Sequence, residues 1–264
     1  MTSGDSSDAD RLHDALCTAW ERLVAVLDGG RFERRDGYIW TICPPIPLPQ
    51  FNGVWPSDDT AVRRLPAALA EIESLALPYS VQTRRGRTPA FEREAERLGL
   101  IPEMTIRGMV LDPAQLAELH VPKLRIVRVR TADGLAQALA IAAESFAAPP
   151  EVFAPLYDLA VAGIEGLAVY LGRVGDVDVT TAVGFRLGDA LGIFNVATPE
   201  EHRGHGYGAA VTAHAVSEGI AAGAAFAYLQ SSPLGHSVYR RLGFRDVEDY
   251  TLYTAPEAPV VEPV

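Results

Sequence analysis

Hydrophobic and polar residues recur along the chain with two spacings, which predict helices and strands. Between residues 8 and 27, the apolar residues Leu12, Leu16, Ala19, Leu23 and Val26 follow one another at intervals of four and three. This is the spacing of one face of an α-helix. Helices are predicted in the same way over residues 57–76, 89–98, 133–146, 149–162, 206–222 and 235–242.

Shorter apolar runs between turn residues predict the strands. The pairs Gly175-Asp176 and Gly188-Asp189 separate three such runs, and turns of this type join neighbouring strands as antiparallel hairpins. Strands are predicted over residues 37–43, 51–55, 79–83, 105–111, 124–130, 167–174, 179–187, 191–197, 225–230 and 249–253.

The chain has 264 residues, a length that allows one large domain or two ordinary ones. Residues 112–123 contain two prolines and lack a strong strand pattern, so we interpret them as the connection between domains at 1–121 and 122–264. Residues 1–7 and 256–264 are polar or proline-rich and are expected to be irregular tails.

Composition narrows the classes of protein. Hydrophobic residues make up 48% of the chain, and its formal net charge is −11. The acidic balance argues against a protein that binds nucleic acid or an anionic membrane. Residues 1–10 lack the features of a signal peptide, no apolar run reaches a membrane-spanning length, and Cys17 and Cys43 are unpatterned. A cytoplasmic protein with reduced thiols is the expectation.

The strongest local pattern is the glycine-rich segment 196–209. A predicted strand ends there, and Gly204, Gly206 and Gly208 lead into a predicted helix. Glycines let the backbone approach a ligand closely, and the first N–H groups of a helix lack partners and attract anions. Arg203 adds a positive charge, so the segment indicates a phosphate or pyrophosphate site.

Three alternatives bear on this segment. A nucleoside-triphosphate loop needs a lysine after its glycines, but Lys123 is the only lysine in the chain, which rejects this alternative. A dinucleotide site needs an acidic residue about 20 positions further on, and none lies between Glu218 and Asp246. A glycine-rich turn without a ligand stays open.

A second segment, 231–244, extends the pattern. It runs Ser-Ser-Pro-Leu-Gly-His-Ser-Val-Tyr-Arg-Arg-Leu-Gly-Phe, with the tyrosine at 239. Together the two segments resemble the GNAT superfamily of acyl-CoA-dependent N-acetyltransferases, whose pyrophosphate loop reads Arg/Gln-x-x-Gly-x-Gly/Ala. The resemblance covers residues 124–264 and implies a mixed, largely antiparallel sheet flanked by helices.

The resemblance also implies roles. Tyr239 would protonate the departing CoA thiolate, and the N–H of Val196 would polarise the thioester carbonyl. The end of the strand would pair with the pantetheine arm, and the loop would bind the CoA pyrophosphate. The residues implied to bind acetyl-CoA are Val196, Ala197, Thr198, Arg203, Gly204, His205, Gly206, Tyr207, Gly208, Ala209 and Ser232. No metal site is expected, because His202 and His205 lack further ligands.

The other substrate stays open. The resemblance implies a small-molecule or peptide amine as the acceptor, bound near Phe146, Phe153 and Tyr157. Water, Glu144, Glu151 or a chain terminus would take the amine proton. Direct transfer is expected, because no cysteine stands at the tyrosine helix. A non-catalytic acyl-CoA-binding module and a nicotinamide-dependent oxidoreductase are the rival functions, and a homodimer is an open alternative to a monomer.

The two halves also resemble each other at a nearly constant offset. Phe51-Asn52 parallels Phe194-Asn195, and Leu98-Gly99 parallels Leu242-Gly243. Between these pairs both halves are predicted to run strand, helix, strand, helix. The first half has no glycine between Gly53 and Gly86 and carries Ala95 at the position of Tyr239. We therefore expect a degenerate first copy and a catalytic second copy.

Overall fold

The computed structural model describes residues 3–256, with side chains from residue 8 onward. Its helices are α1 (Ser3–Val24), α2 (Leu65–Glu73), α3 (Pro89–Arg97), α4 (Ala132–Ser145), α5 (Pro150–Phe153), α6 (Leu159–Ala162), α7 (Tyr207–Ala221) and α8 (Pro233–Leu242). Its strands are β1 (Arg31–Arg35), β2 (Tyr38–Ile42), β3 (Gly53–Pro56), β4 (Ser80–Arg84), β5 (Ile101–Leu111), β6 (Leu124–Val129), β7 (Leu167–Val174), β8 (Val177–Leu187), β9 (Ala190–Ala197), β10 (Phe226–Ser231) and β11 (Arg245–Thr254).

This architecture confirms the predicted α/β class with a mixed, largely antiparallel sheet. The strands β6, β7, β8 and β9 form antiparallel pairs in sequence order, as the two turn signals predict. Parallel pairs join β9 to β10 and β3 to β4. Within residues 3–256, no helix combines the length and apolar character needed to cross a membrane.

Some element boundaries differ from the predictions. Strand β1 was not predicted, because its sequence Arg-Phe-Glu-Arg-Arg is mostly charged and exposed or half-buried. The helix predicted over 57–76 begins only at Leu65, where Pro66 stands in its first turn and proline favours a helix start. The helix predicted over 149–162 is three short helices, and Asp158 caps the last of them through the N–H of Ala160.

The two predicted tails lie partly outside the described residues. Helix α1 begins at Ser3, so the irregular tail predicted for residues 1–7 is wrong from residue 3 onward. Residues 1–2 and 257–264, which the tail predictions also cover, lie outside the described residues.

The chain divides into two compact units that exchange terminal segments. The C-terminal unit holds residues 3–19 and 108–247, and the N-terminal unit holds residues 20–107 and 248–256. Most of β11 therefore belongs to the unit built mainly from the first half of the sequence, and residues 108–111 at the end of β5 belong to the unit built mainly from the second half. The boundary between 121 and 122 stays a prediction about the sequence halves.

In the C-terminal unit the strands lie in the order β10-β9-β8-β7-β6. One face of this sheet packs against α7 and α8, through Leu191, Ile193 and Leu229. Because alternate residues of a strand point to opposite faces, Gly192, Phe194 and Tyr228 lie on the other face, where Phe194 and Tyr228 meet edge-to-face.

In the N-terminal unit the strands lie in the order β1-β2-β3-β4-β11. Strand β11 pairs antiparallel with β4. A buried ion pair supports this pairing, because Arg84 Nε donates to both carboxylate oxygens of Glu248 at 2.9 and 3.0 Å. A separate apolar cluster with Trp40, Ile72 and Phe91 forms the core of this unit.

Candidate active site

The site begins where β9 leaves its neighbours. Asn195 and Val196 stand opposite the single residue Ala182, because pairing resumes at Thr181–Ala197 after Val183–Phe194. Two residues against one make a β-bulge, which bends a strand and re-aims its groups. Asn195 accordingly has a φ of +48°. On the other edge, the parallel pairing of β9 with β10 extends only to Gly192–Tyr228, so the ends of these strands separate.

The glycine-rich loop lies between β9 and α7. Gly204 and Gly206 both have a φ of +80°, a conformation that glycine adopts far more readily than other residues. Gly206 is the N-cap of α7 and has no side chain to satisfy the helix N–H groups. Among the described residues, the first N–H after Arg203 that donates to a backbone oxygen is that of Ala210, to Gly206 O. The N–H groups of residues 204–209 therefore stay available for an anion.

Arg203 and His205 hold the loop in shape. Arg203 Nε donates to the carbonyl oxygen of Thr198 at 3.1 Å, which ties the loop back to the end of β9. His205 Nδ1 donates to the carbonyl oxygen of Arg203 at 2.9 Å, and its ring stacks on Tyr207 at 5.3 Å. These contacts give both residues a structural use, and Arg203 also brings the positive charge that the sequence suggests.

A cleft of about 340 Å³ joins this loop to helix α8. Tyr239 lines it from α8, although only 6% of the residue is exposed, and its ring packs against Phe244. Burial raises the pKa of Tyr239 above its usual range, so its phenol carries a proton at neutral pH. The cleft thus places a proton donor at one wall and unpaired N–H groups at another.

Two small residues set the position of Tyr239. The Ser232 hydroxyl oxygen accepts from the N–H of Gly235 at 3.0 Å, which caps the first turn of α8. A Cβ on Gly235 would lie 2.9 Å from Cε2 of Tyr239, so this glycine lets the ring approach the helix. The Ser232 oxygen therefore already has a structural partner.

Most of the sequence-predicted binding residues line one cleft. The predicted residues on its wall are Val196, Thr198, Arg203, Gly204, Gly206, Tyr207, Gly208, Ala209 and Tyr239. Ala197, His205 and Ser232 do not line it: Ala197 is 1% exposed and Ser232 is 3% exposed. His205 instead turns its ring onto Tyr207.

The cleft also includes residues that the sequence reasoning missed. Leu234, Val238 and Arg241 lie on its α8 wall. Their spacing of four and three marks one helix face together with Tyr239, so a helical-wheel reading of this segment could have found them. Arg241 brings a second guanidinium to a cleft that already contains Arg203, which favours an anionic ligand.

The candidate bases remain on the surface. Glu144 and Glu151 are both exposed, and neither lines the cleft. Across residues 3–256, no three His, Cys, Asp or Glu side chains gather as they would around a metal ion.

Comparison with known proteins places this geometry in a fold family. No protein-family model and no curated protein matches the chain by sequence. Among solved structures, a GCN5-related N-acetyltransferase from Kribbella flavida is similar with a TM-score of 0.72 and 17% identity, over 92% of this chain and 95% of that chain. The chain has the GCN5-related N-acetyltransferase fold.

Two further structures share this fold. A GCN5-related N-acetyltransferase from Sphaerobacter thermophilus is similar with a TM-score of 0.56 and 16% identity, over 87% of this chain and 84% of that chain. A conserved protein of unknown function from Staphylococcus epidermidis has a TM-score of 0.64 and 13% identity, over 86% and 94% of the two chains. The similarity to these structures thus extends over both halves of the sequence.

Proposed function

We propose that the C-terminal unit transfers an acetyl group from acetyl-CoA to the amine of an acceptor molecule. The observation that carries this proposal is the shared cleft of the glycine-rich loop and Tyr239. The loop offers unpaired N–H groups and Arg241 offers a charge, which suit a pyrophosphate. The separated ends of β9 and β10 leave the edge of β9 free to pair with an extended pantetheine arm.

In this mechanism the amine nitrogen attacks the carbonyl carbon of the thioester. A C–N bond forms while the C–S bond breaks, and negative charge develops first on the carbonyl oxygen. The N–H of Val196, freed from regular pairing by the bulge, stabilises that charge. Tyr239 gives its proton to the leaving sulfur, and the proton lost by the amine passes through water to restore the phenol.

The neighbouring acidic side chains do not serve as the base in this proposal. Glu144 and Glu151 are both exposed, and the proposal takes water as the group that accepts the amine proton. Direct transfer is part of this proposal, and it is supported by the two cysteines: Cys17 and Cys43 are both buried, and neither lines the cleft as a carrier of an acetyl group. Transfer therefore occurs directly within a ternary complex.

Thermal unfolding with candidate ligands tests the proposal. A ligand at one hundred times its Kd stabilises the folded state by about 2.7 kcal/mol, a shift in melting temperature of roughly 5–10 °C for a domain of this size. We expect this shift with acetyl-CoA and none with NADH. A shift with NADH alone would contradict the assignment. Release of free thiol from acetyl-CoA with a panel of amines then separates an enzyme from a CoA-binding module.

A further inference from the structure

A second cavity lies beside helix α7, apart from the cleft that contains Tyr239. It has a volume of about 760 Å³ and is lined by residues between 116 and 126 and by one face of α7. This volume is within the range of small-molecule sites. Among the described residues, none lines both the cavity and the cleft. The mechanism above has no use for this cavity, so the chemistry of its wall indicates what it holds.

The connecting segment 112–123 contributes the outer wall of the cavity. The N–H of Ala117 donates to the carbonyl oxygen of Leu242 at 3.1 Å, which ties the segment to the end of α8. Further along, Cγ2 of Val121 lies 3.5 Å from the place of a Cβ on Gly206, beside the glycine-rich loop. The segment is thus positioned at two points, and the cavity lies between it and α7.

The inner wall of the cavity is largely aliphatic. Ala210 and Ala213 line it from α7, and Ile126 lines it from β6. Ile126 and Ala213 also pack against the apolar core of the C-terminal unit. Because both alanines are small, they leave space beside α7. Leu119, also on the wall, is 45% exposed, and a bound hydrocarbon chain would cover this apolar surface.

The polar part of the wall has more nitrogen-bearing side chains than carboxylates. Lys123, His120 and His214 line the cavity, against Glu118 as the acidic side chain. Within the described part of the chain, no carboxylate pairs with Lys123. The positive charge of Lys123 is therefore available to an anionic ligand.

Lys123 also has an unusual backbone conformation. The N–H of Leu124 donates to the carbonyl oxygen of Val121 at 3.3 Å, which closes a four-residue turn with Pro122 in its second position. Lys123 takes the third position with a φ of +69°, where a positive φ favours glycine or asparagine. A lysine there is strained, and strain of this kind concentrates at functional sites.

His214 is held at the cavity wall by two neighbours. Its Nε2 lies 3.6 Å from Oε1 of Glu218, and its ring meets the ring of Tyr170 edge-to-face at 5.4 Å. The Tyr170 hydroxyl donates to Oε2 of Glu218 at 2.9 Å. Burial raises the pKa of Tyr170 above its usual range, so the phenol keeps the proton of this hydrogen bond. A side chain positioned in this way loses little freedom when it binds a ligand.

We propose that this cavity binds an aliphatic carboxylate. The hydrocarbon chain lies against Ala210, Ala213 and Ile126, where its burial removes apolar surface from water. The carboxylate pairs with Lys123 and accepts an imidazole N–H of His214, which are charge-assisted contacts. The site is separate from the cleft, so the inference goes beyond the proposed acetyl transfer and does not depend on it.

Calorimetry on the full chain tests the charge of the ligand, with octanoate and octylamine as probes of equal chain length. We expect octanoate to bind about tenfold more tightly than octylamine. Lys123→Met should raise the Kd for octanoate by about 3–5-fold, Lys123→Arg should keep it, and Glu118→Gln should lower it by about twofold. No binding of octanoate, or equal or tighter binding of octylamine, overturns the inference.

Filling the cavity tests its location. Ala213→Leu occupies the space beside α7 with a residue that favours helices, and the Kd for octanoate should rise by more than about tenfold. Ala221→Leu is the matched control, because Ala221 is exposed on the same helix and does not line the cavity. An unchanged Kd in Ala213→Leu overturns the inference.

Chemical labelling of Lys123 gives an independent readout. Because Lys123 is the only lysine in the chain, propionylation of its side chain by an N-hydroxysuccinimide ester can be followed by peptide mass spectrometry. Octanoate should slow this labelling severalfold. Unchanged labelling overturns the inference, and so does displacement of octanoate by acetyl-CoA. None of these measurements requires acetyl transfer, so failure of the inference and failure of the proposed function are distinguishable.

Discussion

Parallel strands occur in both units, as the pair β9–β10 in one and the pair β3–β4 in the other. The residues packed around these two pairs differ. After β9 and β10, the glycine-rich loop and α8 surround an open cleft of about 340 Å³. Beside β3, aromatic side chains pack together instead. Trp20 packs there against Phe51 and Trp55 with ring centroids 5.0 and 5.5 Å away.

The repeated Phe-Asn dipeptide shows the difference most clearly. Asn52 is completely buried. Its Oδ1 accepts from the N–H of Cys43 at 2.7 Å, and its Nδ2 donates to the carbonyl oxygens of Ile46 and Leu48 at 3.0 and 2.9 Å. Asn195 instead sits in a bulge with positive φ. One asparagine holds a loop closed, and the other shapes a strand end that stays open.

The helices that follow these strands also differ in how their N-termini are built. Helix α7 begins at a glycine with positive φ, whereas α2 follows Arg64 and carries Pro66 in its first turn. Asp59 accepts from the N–H of Ala90 at the start of α3 at 2.9 Å, so an acidic side chain already occupies that helix terminus. The comparison teaches that similar strand arrangements can differ in ligand binding, because the loop that follows the strand determines whether helix N–H groups stay available.

Removing the phenol of Tyr239 should have the largest effect. Tyr239→Phe removes the proton donor for the leaving thiolate, a contribution of about 10²–10⁴-fold to the rate. We expect kcat to fall by that factor while the Kd for acetyl-CoA stays the same, as measured by thiol release and by calorimetry. Ala95 occupies the equivalent place in the first half of the sequence, and Ala95→Gly serves as a control without effect on kcat. Retained kcat in Tyr239→Phe removes the acid role.

Truncation of the two asparagines should lower the free energy of unfolding by different amounts. Asn52→Ala leaves the buried N–H of Cys43 without its partner, while the carbonyl oxygens of Ile46 and Leu48 each keep a backbone N–H, so the free energy of unfolding should fall by about 1–3 kcal/mol. Asn195→Gly keeps a residue that tolerates positive φ and should change it by less than about 1 kcal/mol. Urea denaturation measures both. Equal losses would erase the contrast between the closed and open strand ends.

Substitution of two glycines with similar backbone conformations distinguishes the effect of backbone strain from an effect on ligand binding. Gly204 and Gly86 have φ of +80° and +76°, and a Cβ on either would meet nothing within 4 Å. An alanine at each position should be strained by about 1–2 kcal/mol. In Gly204→Ala we expect the Kd for acetyl-CoA to rise by about 5–30-fold, whereas Gly86→Ala should leave it unchanged. A similar Kd in both variants argues against the loop as the anion site.

The smallest expected effect concerns Ser232. Ser232→Ala removes the cap of α8 and should lower stability by about 1 kcal/mol, seen as a small fall in melting temperature. If the hydroxyl only caps the helix, the Kd for acetyl-CoA should not change. A weaker Kd in this variant would show that the serine proton also reaches the ligand, which sharpens the assignment of this cleft wall.

The proposal that the halves are copies gains support from the second repeated dipeptide. Gly99 and Gly243 both follow the last turn of a helix with positive φ, +85° and +102°, which is the usual C-terminal cap. Their surroundings differ, since a Cβ on Gly243 would lie 2.2 Å from the carbonyl oxygen of Gln115, whereas a Cβ on Gly99 would meet nothing within 4 Å. The repeat therefore preserves a local backbone requirement.

Local patterns determined much of this protein. Helical and strand periodicity gave most elements, because the burial of one face imposes a fixed spacing, and the glycines before α7 predicted its left-handed N-cap. Strand β1 was not predicted, because its exposed and half-buried charged residues do not alternate with apolar ones. The segment predicted as one helix over residues 149–162 forms three short helices, because prolines and the cap of Asp158 interrupt it although its apolar residues have helical spacing.

Only the tertiary structure decided which distant groups meet. The place of β11 in the N-terminal unit depends on its pairing with β4, for which no local residue pattern exists. The bulge at Asn195 likewise appears only when β8 and β9 pair. The sequence specified a loop able to bind an anion and a tyrosine able to donate a proton. Packing brought them to one cleft, because burial and hydrogen bonding are satisfied by the whole fold rather than by any segment.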